Sequence, residues 1–137
     1  GHDRMITTLG GVSFEGACLL GNARAPELAA FPQTEKNRLL AAMPTSDLTQ
    51  VWQTDVWGYF EKNRLEIDPA DISSDFIGPV QRFRFVGKVK RGADVFVVFG
   101  GQMASGDSHD RVVCYGPDTP RTHALLRGIV DSMAPAP

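Results

Sequence analysis

Apolar and basic residues alternate through the middle of the chain, in the stretch QRFRFVGKVKRGADVFVVFGG from residue 81 to 101. A period of two with this contrast predicts a strand that buries one face and exposes the other. The face predicted to be buried holds Phe83, Phe85 and Val89. The face predicted to meet solvent holds Arg82, Arg84, Lys88 and Lys90. Residues 95–99 are apolar on both faces, as in a central strand, so we predict a central hairpin that turns at residues 91–93.

The same kind of pattern predicts further elements on either side of this hairpin. A glycine pair at positions 10 and 11 separates the β-rich runs 4–9 and 12–20, which indicates another hairpin. Apolar residues at helical spacing predict three helices, at about residues 35–43, 47–64 and 120–133. Polar segments rich in turn residues predict connections over 68–79 and 101–110, with a last strand over 111–115.

The predicted order of elements is β-β-α-α-β-β-β-α, which indicates an α+β fold. We expect one domain over residues 1–137, with 1–4 a tag remnant or disordered start and 134–137 a frayed tail. The sheet is expected to be single and antiparallel, with about five strands and the helices packed on one face. Profilin-like, PAS-like and Mog1/PsbP-like architectures share this layout, and no motif in the sequence selects one of them.

Composition and charge narrow the classes of function. The chain has 137 residues, of which 42% are hydrophobic and 22% charged, as in an ordinary globular protein. A formal net charge of −2 argues against a general nucleic-acid binder, which needs a basic field, although a local basic stripe is compatible with it. No run of 18 apolar residues is present, so no membrane span is predicted.

The start of the chain and its two cysteines bear on its location. Gly-His-Asp-Arg-Met is typical of a tag remnant, and if Asp3 or Arg4 is natural the chain begins inside a longer one. Cys18 and Cys114 are either reduced core residues or one long-range disulfide. A disulfide favours a periplasmic or secreted location, with the cytoplasm as the alternative. The alanine- and glycine-rich composition is typical of a bacterial protein.

The predicted connection 101–110 is the first candidate site, since a long polar loop on a rigid sheet is a usual place for binding. Its candidate binding residues are Gln102, Ser105, Asp107, Ser108 and His109. A hydrolase could use His109 with Asp107 or Asp110, and Asp55 as a distant carboxylate. However, the chain has no Gly-x-Ser-x-Gly elbow, no phosphate loop and no metal-ligand spacing, so we expect neither catalysis nor a metal or cofactor.

The basic strand and the second helix supply the remaining candidates. Arg82, Arg84 and Lys88 form either a docking surface for an acidic partner or an ordinary solvated face. Trp57 lies off the apolar stripe of its helix, where it is either a packed residue or an exposed anchor for a partner. Asp55 lies within the stripe and is either a paired acid or a carboxylate with a functional pKa.

These patterns favour a small non-enzymatic binding domain that acts through a protein–protein surface. We expect a bacterial envelope or periplasmic accessory protein, or an immunity-type protein that neutralises a toxin or enzyme. Its partner would be a protein, either one with an acidic surface or an enzyme whose active site this domain blocks. Binding of nucleic acid is not expected, and the sequence does not predict the oligomeric state. The alternative is a small-molecule-sensing PAS- or profilin-like module, which requires a cavity lined by residues such as Phe85, Phe99, Trp52 and Tyr59.

Overall fold

The computed structural model describes residues 6–9, 12–43 and 66–135. The strands in these ranges are β1 Ile6–Leu9, β2 Val12–Glu15, β3 Ala17–Arg24, β4 Glu66–Ile77, β5 Val80–Arg91, β6 Asp94–Ser105 and β7 Ser108–Pro117. The helices are a 3-10 helix, Pro26–Ala30, and the α-helices α1, Gln33–Ala41, and α2, Pro120–Asp131. None of the helices in these ranges is long and apolar enough to cross a membrane.

The strands form an antiparallel five-stranded sheet in the order β3-β7-β6-β5-β4, and β1 pairs with β2 in a separate hairpin. Strands β4 to β7 are a meander of consecutive neighbours, joined by short turns. Gly92 and Gly106 lie in two of these turns with φ of 62° and 59°, a backbone conformation that favours glycine. Strand β3, which precedes the meander in the sequence, pairs with β7 and forms one edge of the sheet.

Both faces of the sheet are buried. On one face α2 covers a core formed by Val97, Phe99, Val112, Cys114, Leu126 and Val130. On the other face Met43, just after α1, packs against a core formed by Phe85, Val89, Val98, Val113 and Tyr115. The predicted α+β class and antiparallel sheet are confirmed. The prediction that the helices share one face is wrong, because β6 is apolar on both faces and α1 and α2 cover opposite ones.

Several predicted elements change in detail. The predicted central hairpin is confirmed as β5 and β6, with Phe85 and Val89 buried and Phe83 half-buried. The predicted connection 68–79 belongs mostly to β4, an edge strand. The predicted connection 101–110 is the end of β6, a tight turn and the start of β7. The predicted helix 47–64 lies outside the described residues.

Candidate functional site

The basic face of β5 is divided: Arg82 and Arg84 meet the end of α2, whereas Lys88 and Lys90 face solvent as predicted. Arg82 is only 7% exposed, so the prediction that it faces water is wrong. Its guanidinium donates to the main-chain oxygens of Asp131 and Met133, at 2.6 and 2.8 Å, and to both carboxylate oxygens of Asp75, at 2.7 and 3.0 Å. Carbonyls at a helix C-terminus lack intrahelical donors and carry partial negative charge, so a cation is favourable there.

Arg84 extends this cluster toward the surface. It donates to Asp131 at 2.6 Å and to Asp75 at 2.8 Å. The hydrogen bond from Arg82, and then that from Arg84, lowers the pKa of Asp75 below its usual value. Lys88 is the more accessible cation, with a side chain 59% exposed beside Asp118 at 3.3 Å. The binding role proposed for these three basic residues stays a prediction. The guanidinium of Arg82 is already occupied by its hydrogen bonds to the end of α2.

The predicted recognition loop is a two-residue hairpin turn, Gly106–Asp107, between paired strands. Ser105 is the register partner of Ser108, whose hydroxyl donates to the Ser105 carbonyl at 3.2 Å. Asp107 accepts two hydrogen bonds from Arg24 of β3, each 3.1 Å long. A turn this short is not the long polar loop predicted over residues 101–110, and the binding role of its residues stays a prediction.

His109 and Gln102 face each other across β7 and β6. The Nε2 atom of His109 lies 3.0 Å from Oε1 of Gln102, which is itself buried. Burial, and then the charge of Arg111, lowers the pKa of His109 below its usual value, while Asp110 opposes the shift.

The predicted hydrolase arrangement is not assembled in the part of the chain that the structure describes. The two acids predicted to act with His109 are held by β3 instead: Asp107 by Arg24, and Asp110 by a short hydrogen bond from Asn22. The described residues contain no group of three His, Cys, Asp or Glu side chains that could hold a metal ion. Asp55 and Trp57 lie outside the described residues.

Cys18 and Cys114 form a disulfide, which decides between the two states that the sequence allows. They are register partners in β3 and β7, with Cα atoms 4.1 Å apart. The bond joins positions 96 residues apart and fastens β3 to the rest of the sheet.

Strand β3 is an edge that sequence reasoning did not single out. Its sequence, ACLLGNAR, pairs with β7 on one side, and no other strand of the described ranges pairs with its outer side. Leu20 is 73% exposed and Leu19 is also exposed. An adjacent pair of apolar residues was visible in the sequence, but its exposure depends on which strand ends the sheet.

A cavity of about 420 Å³ opens between α2, β5 and the start of β4. Its floor includes Val86 and Phe99, and its walls include Asp71 of β4 and Arg127 of α2. A second cavity of about 360 Å³ lies on the opposite face of the sheet. It is lined by Leu40, Met43, Phe83, Phe85 and Gln102, among others.

Comparison with known proteins adds little to this geometry. No protein-family model matches the chain, and no curated protein matches it. The crystal structure of the protein of unknown function PA94 from Pseudomonas aeruginosa matches over 100% of this chain and 99% of its own, with a TM-score of 0.49 and 9% sequence identity. A likeness at this level carries no argument about function, which has to be inferred from the residues themselves.

Proposed function

We propose that this chain is a non-enzymatic binding domain that holds a protein partner along β3, where an extended segment of the partner adds a strand to the sheet. The observation that carries the proposal is the eight-residue edge strand with Leu20 73% exposed. An edge presents main-chain donors and acceptors to an incoming strand, and side chains beside it select the sequence that pairs.

The two edges of the sheet differ in a way that supports this choice. The β4 edge has a register irregularity between Ile67 and Ile72, and Pro69 and two aspartates lie in the irregular part. Bulges, prolines and charges are the usual means by which proteins prevent pairing at an edge. The register of β3 with β7 is continuous from Ala17 to Arg24, and the strand contains no proline and no charge before Arg24.

The side chains of β3 indicate the chemistry of the partner. Leu19 and Leu20 point to opposite faces of the sheet, so an added strand would meet an apolar residue on each face. Arg24 ends the strand with a largely exposed guanidinium beside Asp107. The expected partner segment is therefore extended and apolar where it meets Leu19 and Leu20, while Arg24 is already paired with Asp107 and adds little selection for charge.

The disulfide supports an envelope or secreted setting for this function, since disulfides persist mainly in oxidising compartments. Within that setting the domain would act as an accessory protein or as an immunity-type protein that neutralises a toxin or enzyme. Neutralisation would proceed by capturing a strand of the target, because the β3 edge with its exposed Leu20 is the surface that invites an added strand.

The experiment compares two edge variants in co-purification from the source cells. Leu20→Lys places a charge on the β3 edge, and Phe76→Lys places one at a 63% exposed position on the β4 edge. Proteins captured by the natural chain should be retained by Phe76→Lys and lost by Leu20→Lys. Capture that Leu20→Lys leaves unchanged, or that both variants reduce equally, would contradict the proposal. Self-association in place of a second protein would also contradict it.

A further inference from the structure

We infer that the 420 Å³ cavity beside α2 binds a small zwitterion, namely a free amino acid with an apolar side chain. Three features of the cavity lead to this ligand class: an irregular strand that builds one wall, an apolar floor, and one unpaired charge of each sign on opposite walls. The inference is independent of the β3 edge, which lies at the far side of the sheet.

The wall formed by β4 exists because that strand leaves its register. The strand passes from Ile67 to Ile72 while its partner β5 passes only from Gly87 to Phe85, so residues 68–71 loop out opposite Val86. A hydrogen bond of 2.9 Å from the Ala70 amide to Asp68 Oδ1 fixes the turn within this loop. Ala70 and Asp71 consequently line the cavity on the side opposite α2.

The floor is apolar and partly aromatic. Val86 and Phe99 lie on the face of the sheet that α2 covers, and Val130 of α2 joins them. The guanidinium carbon of Arg127 lies 5.7 Å from the centroid of the Phe99 ring, which holds this cation over the cavity. A volume of about 420 Å³ is within the range of small-molecule sites, which combine an apolar lining with a few polar groups.

The charges that line the cavity differ in whether they are already paired. Arg84 and Asp131 form an ion pair at 2.6 Å, so their charges compensate each other. Asp71 and Arg127 take part in no ion pair among the described residues, either with each other or with a third group. The cavity therefore offers one anion on β4 and one cation on α2.

A ligand with complementary charges satisfies both walls at once. The ammonium of an amino acid would pair with Asp71, its carboxylate would pair with Arg127, and its side chain would lie on the floor formed by Val86, Phe99 and Val130. A ligand with a single charge can pair with only one of Asp71 and Arg127, so it forms one ion pair fewer in this cavity than a zwitterion does. Of the four residues predicted to line a ligand cavity, Phe85 and Phe99 line this one, and Trp52 and Tyr59 lie outside the described residues.

Isothermal titration of the natural chain with L-leucine, L-methionine and L-phenylalanine tests the inference. At least one of them should bind saturably. For that amino acid, the N-acetyl derivative, which lacks the cation, and the amide, which lacks the anion, should each bind about tenfold more weakly or worse. Absence of saturable binding by all three amino acids, or equal binding of the derivatives, would overturn the inference.

Two variants and a matched control locate the site. Arg127→Gln and Asp71→Asn each remove one charge at an exposed position, so their circular dichroism spectra should match that of the natural chain. Each should weaken amino-acid binding about tenfold or more. Arg121→Gln removes an exposed arginine from the first turn of the same helix, outside the cavity, and should leave binding unchanged. Equal effects of Arg121→Gln and Arg127→Gln would place the ligand elsewhere and reject the assignment.

Discussion

Replacing Arg82 with methionine isolates the attachment of α2 to the sheet. Methionine keeps an aliphatic stem of similar reach and removes the guanidinium. The change deletes four hydrogen bonds, two to the main-chain oxygens of Asp131 and Met133 and two to Asp75. The carbonyls at the end of α2 then lose the bonds from Arg82, and Asp75 keeps the hydrogen bond from Arg84.

The expected loss in the free energy of unfolding follows from these contacts. A hydrogen bond contributes about 1 kcal/mol net or somewhat more when one group is charged, so the four bonds give a starting figure of about 4 kcal/mol. Two effects reduce that figure. Methionine avoids the cost of desolvating a buried guanidinium, and Asp75, whose side chain is 39% exposed, can be rehydrated. We therefore expect Arg82→Met to lower the free energy of unfolding by about 2–3 kcal/mol.

Urea unfolding followed by far-ultraviolet circular dichroism measures this loss, with Lys88→Met as the control. Lys88 lies on the same strand and also forms an ion pair, but its side chain is 59% exposed, so its replacement should cost less than about 1 kcal/mol. Hydrogen exchange should speed up in the last turn of α2 in Arg82→Met alone. A loss below about 1 kcal/mol for Arg82→Met, or equal losses for the two variants, would refute the reasoning.

The pH dependence of the same pair of proteins gives a second test. Because folding lowers the pKa of Asp75, its contribution is complete above the ordinary carboxyl value near pH 4 and is lost as the pH falls through the lower folded value. The difference in stability between the natural chain and Arg82→Met should therefore narrow below about pH 4.

Three other predictions concern residues of the sheet. Replacing both Cys18 and Cys114 with alanine should lower the free energy of unfolding, measured by urea titration, by about 4–5 kcal/mol, because the disulfide closes a long loop. A thiol assay on the natural chain should find no free cysteine before reduction. Gly100→Ala would place a Cβ atom 2.0 Å from the Phe85 ring, so urea unfolding should show a loss of about 1–3 kcal/mol, and the loss should be smaller in a Phe85→Leu background. Folding lowers the pKa of His109, so the imidazole of the unfolded chain is protonated first as the pH falls below about 6.5. The free energy of unfolding should therefore decline below this pH. In urea titrations at several pH values, His109→Gln should make that decline shallower.

The central hairpin was predictable because its signals are local. Alternation along β5 identified Phe85 and Val89 as buried, and the glycine after Arg91 marked the turn into β6. The apolar residues on both faces of β6 likewise indicated a central strand. The same alternation failed for Arg82, because a basic residue on a sheet face is solvated unless a helix end supplies acceptors. The tertiary structure decides that α2 ends beside Arg82, and the sequence of β5 contains no signal of that contact.

The segments 68–79 and 101–110 were predicted as connections because they contain proline, glycine and polar residues, which are unfavourable in regular strands. Such residues are nevertheless tolerated at certain positions of a sheet. The polar and proline-containing part of β4 lies at an edge, where an irregular register is permitted. Gly101 begins the segment predicted as a connection, yet in β6 both Gly100 and Gly101 provide space for neighbouring side chains. The Phe85 ring lies over Gly100, and Val130 of α2 comes within 2.9 Å of the Cβ position of Gly101.

The candidate sites themselves were not predictable from the sequence. The exposed edge depends on β3 being the outermost strand beside β7, and the cavity depends on Asp71 and Arg127 arriving on opposite walls. These residues are distant in sequence and belong to no motif. The sequence did anticipate a disulfide between Cys18 and Cys114 as one of two alternatives, because an even count in strand-like runs permits it.

The pairing of β3 with β7 constrains the order in which the protein assembles during its synthesis. The hairpins of β4 to β7 join consecutive segments and can form one after another as the chain emerges. Strand β3 has to wait for the last strand, and the cysteines that join the two are 96 residues apart. A growing chain therefore carries the exposed pair Leu19 and Leu20 on a segment that lacks its native neighbour until β7 has been made, and an apolar strand without a neighbour is prone to wrong pairing during this interval.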